Sequence, residues 1–295
     1  MDFVLTLIGS DTPLSTAHLA GMTRYLDSQG IALAGDPRWL KQHKAADLYT
    51  ANRPNSLQMR AMRDILAPER IDILVNRTQG RKKKLLLSDM DATILANETL
   101  DDISETIGLG EECRLITEKT MRGEIDLAVS LRERVALLKG LKETVLENIL
   151  AQVTYNPGAE LLIRGMAQHG AVCVLVSSGF TFFTAAVARH AGFMHHHGNI
   201  LEIKDGVLTG NVLEPILDKH SKLESLNFYA EMLDIDASEI MAIGDGANDL
   251  LMLEAAGLGI GYRPKPILAE ALDNLLLYSD LSAGLYAQGL VPNLH

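Results

Sequence analysis

Residues 84–93 read Lys-Leu-Leu-Leu-Ser-Asp-Met-Asp-Ala-Thr, a short unbroken apolar strand from Leu85 to Ser88 that runs out onto two carboxylates, Asp89 and Asp91. A strand without polar alternation is the kind that a parallel sheet covers on both faces. Similar strands recur at Ala171 to Val176, Ile240 to Ile243 and Leu258 to Ile260, separated by helical periodicities such as 158–168 and 181–191. Strands alternating with helices predict a doubly wound, Rossmann-like α/β domain, whose ligands lie beyond the carboxyl ends of the strands. Asp89 and Asp91 stand at such an end, where carboxylates are costly unless a cation or hydrogen-bond donors compensate them. Alone, an Asp-x-Asp pair fits a loop or capping role equally well.

Other strand ends extend the pattern. Ile243-Gly244-Asp245-Gly246-Ala247-Asn248-Asp249 also follows a continuous apolar run, and its glycines permit close backbone approach. Oxygen donors from Asp89, Asp91 and Asp245 suit a hard cation such as Mg²⁺. Val176-Ser177-Ser178-Gly179-Phe180 ends the strand 171–176 and is expected to begin a helix, where hydroxyls and free N–H groups form an anion site. Ordinary helix capping explains that segment as well when it is taken alone. Lys222 lies near the start of a helix, and by itself reads as a surface lysine.

Two inserts interrupt the alternation. From Glu98 to about Gln152 the period is helical throughout, which predicts a bundle placed as a lid. Residues 200–213 alternate about Asp205-Gly206, a dipeptide suited to a two-residue hairpin turn. Ahead of the α/β domain, residues 3–8, 30–35, 46–51 and 71–75 read as strands and 14–28 and 57–66 as helices. The order βαββαβ is the ferredoxin-like split motif and resembles a degenerate ACT domain, with a plain interaction or homodimerisation module as the alternative. The boundary is expected near 80, giving an accessory unit 1–80 and a catalytic unit 81–295, with Arg81 to Lys84 as a solvated linker.

The chain has 295 residues, 47% hydrophobic and 22% charged, which predicts folding throughout and room for two domains. A formal net charge of −11 offers no footprint for nucleic acid. Cys113 and Cys173 have no zinc-ligand spacing and read as reduced structural thiols. The acid at position 2, the lack of a basic leader and the absence of a long apolar run lead to the expectation of a cytoplasmic protein without membrane partners. His195, His196 and His197 lack an acidic or Cys partner nearby and read as structural, as do Trp39 and the helically spaced methionines.

Taken together, Asp89-x-Asp91-x-Thr93, Ser177 after a strand, Lys222 and Gly244-Asp245-Gly246-x-Asn248-Asp249 resemble the ordered signature of the haloacid dehalogenase superfamily. Within it, the lid segments Glu98–Asp101, Thr120–Ile125 and Ser130–Val135 are similar to those of the phosphoserine phosphatase family. The resemblance implies hydrolysis of L-phosphoserine, the last step of serine biosynthesis, with Mg²⁺ as cofactor. It gives Asp89 the role of nucleophile and Asp91 that of general acid and base. Asp89, Asp91 and Asp245 would hold the metal, with Asp249 supporting it. It assigns Glu98 to the substrate ammonium, Arg134 to its carboxylate, and Ser177, Ser178, Gly179, Lys222 and Asn248 to the phosphate. Met121 and Leu127 would form an apolar wall, although an aromatic residue is common at the second of these positions. Ala92 stands where Ser is frequent and Ser178 where Gly is frequent. The alternatives are a phosphatase or phosphotransferase for another small phosphomonoester, such as phosphothreonine, and an inactive amino-acid sensor.

Overall fold

Alternation along β1 (Phe3–Gly9) sorts its side chains between two partners. Leu5 and Leu7 face α1 (Thr16–Ser28) and α2 (Ser56–Leu66), whereas Ile8 belongs to the larger core beyond the sheet. With β2 (Arg38–Lys41), β3 (Ala45–Thr50) and β4 (Ile71–Arg77), this strand forms an antiparallel sheet in the order β2-β3-β1-β4, the ferredoxin-like arrangement. Ser15 caps α1 and Asn55 caps α2, each accepting a backbone N–H three residues on. The computed structural model describes residues 1–122 and 124–292, and of Met121 only the backbone.

The strand expected at 30–35 is not formed. Gly30 and Gly35, both at positive φ, bracket the segment and leave only a Leu33–Thr50 bridge; the edge strand comes later, at β2, where Arg38 and Trp39 pair with Asp47 and Ala46. Trp39 packs against the helical core of this unit.

The second sheet begins with β5 (Leu85–Ser88), buried along its length. The chain then leaves the sheet for α3 (Thr99–Thr106), α4 (Gly110–Met121), α5 (Leu127–Ala136) and α6 (Thr144–Leu150), the expected helical lid. It returns through α7 (Ala159–Gln168), β6 (Val172–Phe180), α8 (Thr181–Ala191) and the hairpin β7 (His195–Lys204) and β8 (Val207–Leu213). α9 (Lys219–Leu233), β9 (Ile240–Gly244), α10 (Leu250–Ala255), β10 (Leu258–Tyr262), α11 (Pro266–Ala271), β11 (Leu275–Leu276) and α12 (Ala283–Ala287) complete it. The sheet order is β11-β10-β9-β5-β6-β7-β8, parallel from β11 to β7 with only β8 reversed. This is the doubly wound α/β architecture, with β5 central and its carboxyl end flanked by those of β6 and β9.

The lid is tied at both ends. Its neck closes where Ala96 N–H donates to Thr154 O at 2.7 Å, and Asn156 Nδ2 donates to Thr93 O at 2.8 Å and Leu95 O at 3.0 Å. The hairpin braces its far side: Gly140 N–H reaches Leu208 O and Glu143 N–H reaches Gly206 O, each at 2.9 Å. Asp205 and Gly206 both take positive φ, as the two-residue turn requires.

The basic run is a solvated linker only in part: Lys82 and Lys84 are exposed, but Arg81 and Lys83 turn inward. Arg81 lays its guanidinium on the fully buried Asp47, with Nη1–Oδ2 at 2.7 Å and Nη2–Oδ1 at 2.8 Å, and also donates to Tyr286 O. Buried Lys83 has three acceptors for its three ammonium protons: Asn76 Oδ1 at 3.0 Å, Gly80 O at 2.9 Å and Ser238 O at 2.7 Å. The reason is that the inner face of the first sheet rests on the second unit. There Asp72 accepts three consecutive backbone N–H groups, from Leu277, Tyr278 and Ser279, and Asn274 pairs with both backbone groups of Val75.

Both cysteines are buried and free. His196 meets Thr184 Oγ1 at 2.9 Å and His197 meets the Tyr229 hydroxyl at 2.8 Å, which are structural contacts. Among the described residues no helix is long and apolar enough to cross a membrane.

Candidate active site

The carboxyl ends of β5 and β9 bring together groups distant in sequence. Asp89, 4% exposed, is held by its N–H on Ile243 O at 3.0 Å, and its Oδ1 accepts from Met90 N–H at 2.8 Å. Lys222, in the first turn of α9, lies in the interior rather than on the surface. It is 1% exposed, and its Nζ is 2.8 Å from Asp89 Oδ1 and 2.5 Å from Asp249 Oδ1. Asp249 is fully buried, and its Oδ2 accepts the N–H groups of Asp245 and Gly246 at 3.2 and 3.1 Å. That loop needs glycine: a Cβ on Gly244 would collide with the Asp249 carboxylate.

Burial and the neighbouring Asp249 push the Asp89 carboxyl well above its ordinary range, against the opposing pull of Lys222. Burial opposes charge on Lys222, but Asp249 and Asp89 outweigh it and raise its pKa. Asp89, Asp245 and Asp249 offer carboxylate oxygens that lie within 4.8 Å of one another, an acidic group able to hold a metal ion. The side chain of Asp91 stands apart from this cluster. Its Oδ1 accepts the Thr99 N–H at 3.0 Å and its Oδ2 faces Ser177 Oγ at 3.4 Å, and burial lifts its pKa to about 7.

Ser177 to Gly179 differ from expectation. The strand does not stop at 176: β6 runs on to Phe180, and α8 starts only at Thr181. Phe180 pairs with Asn199 beyond a register shift, and Asn199 Nδ2 donates to Ser178 O at 2.7 Å, so tertiary pairing prolongs the strand. The Gly179 N–H is committed to Ser177 Oγ at 2.8 Å, so a helix N-terminus is not what this segment presents. A Cβ on Gly179 would lie 2.8 Å from Asp91 Oδ2, so any larger residue there has to displace a neighbouring side chain. Ala92 takes φ +52, a left-handed conformation unusual for a residue with a Cβ.

A cavity of about 590 Å³ joins the sheet ends to the lid, with Asp89, Asp91, Asp245 and Asn248 on one side and Glu98, Leu127 and Arg134 on the other. Ser178 also lines it, and Gly179 lines a smaller cleft of about 70 Å³ shared by Asp91, Glu98 and Arg134. Ser177 and Lys222, each 1% exposed, sit behind the walls. Arg134 Nη1 is 3.9 Å from Asp101, and its buried Nε has no hydrogen-bond partner among the described residues. The side chain of Met121 lies outside the described residues.

Among the described residues lining the cavity, one charged side chain was not expected. Lys265, between Pro264 and Pro266, places Nζ 2.9 Å from Glu98 Oε1 and 3.0 Å from Asp245 Oδ2. Burial works against its charge, but Glu98 and Asp245 together raise its pKa. The available signal was its position just past the end of another strand of the same sheet, β10.

The haloacid dehalogenase-like hydrolase family model matches residues 86–254. The phosphoserine phosphatase of Archaeoglobus fulgidus is 38% identical over 204 residues, which cover 69% of this chain and 59% of that protein. This chain thus spans less than two thirds of the length of that relative. A crystal structure of a HAD family hydrolase from Salmonella enterica subsp. enterica serovar Typhi superposes with a TM-score of 0.85 at 26% identity, covering 97% of each chain. A phosphoserine phosphatase structure representing a phospho-aspartyl intermediate analogue superposes with a TM-score of 0.65 at 38% identity, covering 70% of this chain and 98% of that one. With the family match running across β5, the lid, β6 and β9, over more than half of its length, the chain belongs to the haloacid dehalogenase-like hydrolase family.

Proposed function

We propose that the protein hydrolyses L-phosphoserine to L-serine and phosphate through an aspartyl-phosphate on Asp89, with Mg²⁺ as cofactor. The observation that carries this reading is the pairing of opposite walls in one cavity. Asp89 and its buried Lys222 face a lid that offers a carboxylate, Glu98, and a guanidinium, Arg134, whose buried Nε has no partner among the described residues. A zwitterionic phosphomonoester needs one group of each sign beside its phosphate, and an Arg fork suits a carboxylate.

The donor set fits Mg²⁺, since Asp89 and Asp245 supply hard carboxylate oxygens and Asp249 stands behind them. When bound, the ion offsets the repulsion between a carboxylate nucleophile and a phosphate dianion. An Asp89 carboxylate oxygen then bonds to phosphorus as the ester P–O bond breaks, and the leaving serine oxygen takes the proton of Asp91. A pKa near 7 leaves Asp91 able to carry that proton at neutrality. In the second half-reaction the Asp91 carboxylate accepts a proton from the water that attacks the aspartyl-phosphate, restoring both residues. Lys222 steadies the negative charge throughout, and the lid keeps bulk water out.

We read residues 1–80 as an ACT-like accessory unit fixed to the catalytic unit 81–295. The buried Arg81–Asp47 pair and the Asn274–Val75 bonds support this reading. The activity is tested by phosphate release from L-phosphoserine with Mg²⁺, alongside phosphothreonine and other small phosphomonoesters. L-phosphoserine is the expected best substrate, and Asp89→Asn abolishes turnover; an intact rate in that variant removes Asp89 as the nucleophile.

A further inference from the structure

Phosphoserine hydrolysis uses Arg134 on the cavity wall but leaves Lys265 without a role. The placement of this lysine is tightly determined. Pro266 disfavours helical backbone at the preceding residue, and Lys265 accordingly holds φ −61 and ψ 153 at the start of α11. Its N–H donates to Asp245 O at 2.8 Å, so the backbone is fastened to the residue whose carboxylate its ammonium also meets. From there Nζ spans to Glu98, the residue preceding α3, and links the sheet end to the lid.

The two carboxylates it bridges are those assigned to the substrate ammonium and to the metal. An ammonium on Glu98 is chemically what an amino-acid substrate presents there. A phosphomonoester without an amino group leaves Glu98 compensated by Lys265, whereas one with an amino group must share Glu98 with it. The same lysine reduces the negative charge that Asp245 presents to a divalent cation. Selectivity is a difference of affinities, and an internal ammonium at this position narrows it.

We propose that Lys265 is an internal counter-ion shared by Glu98 and Asp245, and that it sets how strongly the site selects substrates carrying an ammonium group. The proposal rests on the phosphoserine reading. It is tested with wild type, Lys265→Met, Lys265→Arg and Glu98→Gln. For each, kcat/KM is compared for L-phosphoserine and for 3-phosphonooxypropanoate, the same molecule without its amino group. Mg²⁺ binding to the substrate-free protein is followed by calorimetry. Lys265→Met is expected to raise the preference for L-phosphoserine about three- to fivefold, mainly through KM, the scale of a half-exposed ion pair. It also tightens Mg²⁺ binding, and Lys265→Arg restores both wild-type values. If Lys265→Met unfolds, Lys265→Gln takes its place in both comparisons. A wild-type preference that Glu98→Gln erases but the Lys265 variants leave unchanged, with unchanged Mg²⁺ binding, overturns the role of Lys265 alone. A wild type with no preference, unaltered by Glu98→Gln, overturns the phosphoserine reading and this one together.

Discussion

Lys222 Nζ lies 2.8 Å from Asp89 Oδ1 in a setting where the lysine is 1% exposed, so the candidate nucleophile is paired with a cation that water barely reaches. Removing one partner of a buried pair leaves the other uncompensated, at a cost of about 3–5 kcal/mol. Lys222→Met is therefore expected to lower the melting temperature and to reduce phosphate release at least about 100-fold. Parallel thermal melts and turnover assays check both, and a variant with wild-type turnover contradicts the assigned role.

Gly179→Ala tests the close approach between β6 and Asp91. The added methyl meets Asp91 Oδ2 at 2.8 Å and Ser177 Oγ at 3.1 Å, so one of these groups has to move. A displaced acid of this kind costs about 10- to 100-fold in kcat. Steady-state kinetics should show that loss with the overall fold retained by circular dichroism.

Arg134→Gln separates carboxylate recognition from phosphate chemistry. KM for L-phosphoserine should rise about 10-fold or more, the scale of a charge-assisted hydrogen bond. O-phosphoethanolamine lacks the carboxylate, and its kinetics should change little. Equal losses for both compounds would argue that Arg134 supports the lid rather than the ligand.

Asp47→Ala tests the junction of the two sheets. It strips the guanidinium of Arg81 of its carboxylate within a buried network that also includes Thr6 and Tyr49. Denaturant unfolding is expected to show a loss of about 3–5 kcal/mol. The Arg81→Met, Asp47→Leu double variant, which leaves neither charge unpaired, should recover part of it.

Lys83 predicts a pH dependence of stability. Burial lowers its pKa from 10.5 to about 8 in the folded protein, so between those values the unfolded chain binds more protons than the native one. Stability from this group therefore rises as pH climbs from about 8 towards 10.5, and below about 8 the full cost of burying the charge is present. Relative to Lys83→Met, wild type should gain on the order of 3 kcal/mol across that window in pH-dependent unfolding.

The acidic strand ends at Asp89 and Asp245, the helical lid and the Asp205-Gly206 hairpin were legible because each is a local pattern: an apolar run capped by carboxylates, a helical period, or a turn dipeptide. Local patterns cannot state partners. Lys222 looks like a surface lysine until the fold brings it to Asp89 and Asp249, and Arg81 and Lys83 look like a linker until Asp47, Asn76 and Ser238 surround them. Strand β6 outran its apolar segment because Asn199 and the β7 ladder pair with it. Asp249, rather than the Asp91 side chain, joined the carboxylate cluster because its loop folds it back onto the N–H groups of Asp245 and Gly246 and beside Lys222, whereas Asp91 turns towards Thr99 and Ser177. Lys265 is read through Glu98, 167 positions away. The chemistry-bearing residue types are thus written into short segments, whereas their charge states and pairings depend on burial and distance, which exist only once the sheet and lid have closed around them.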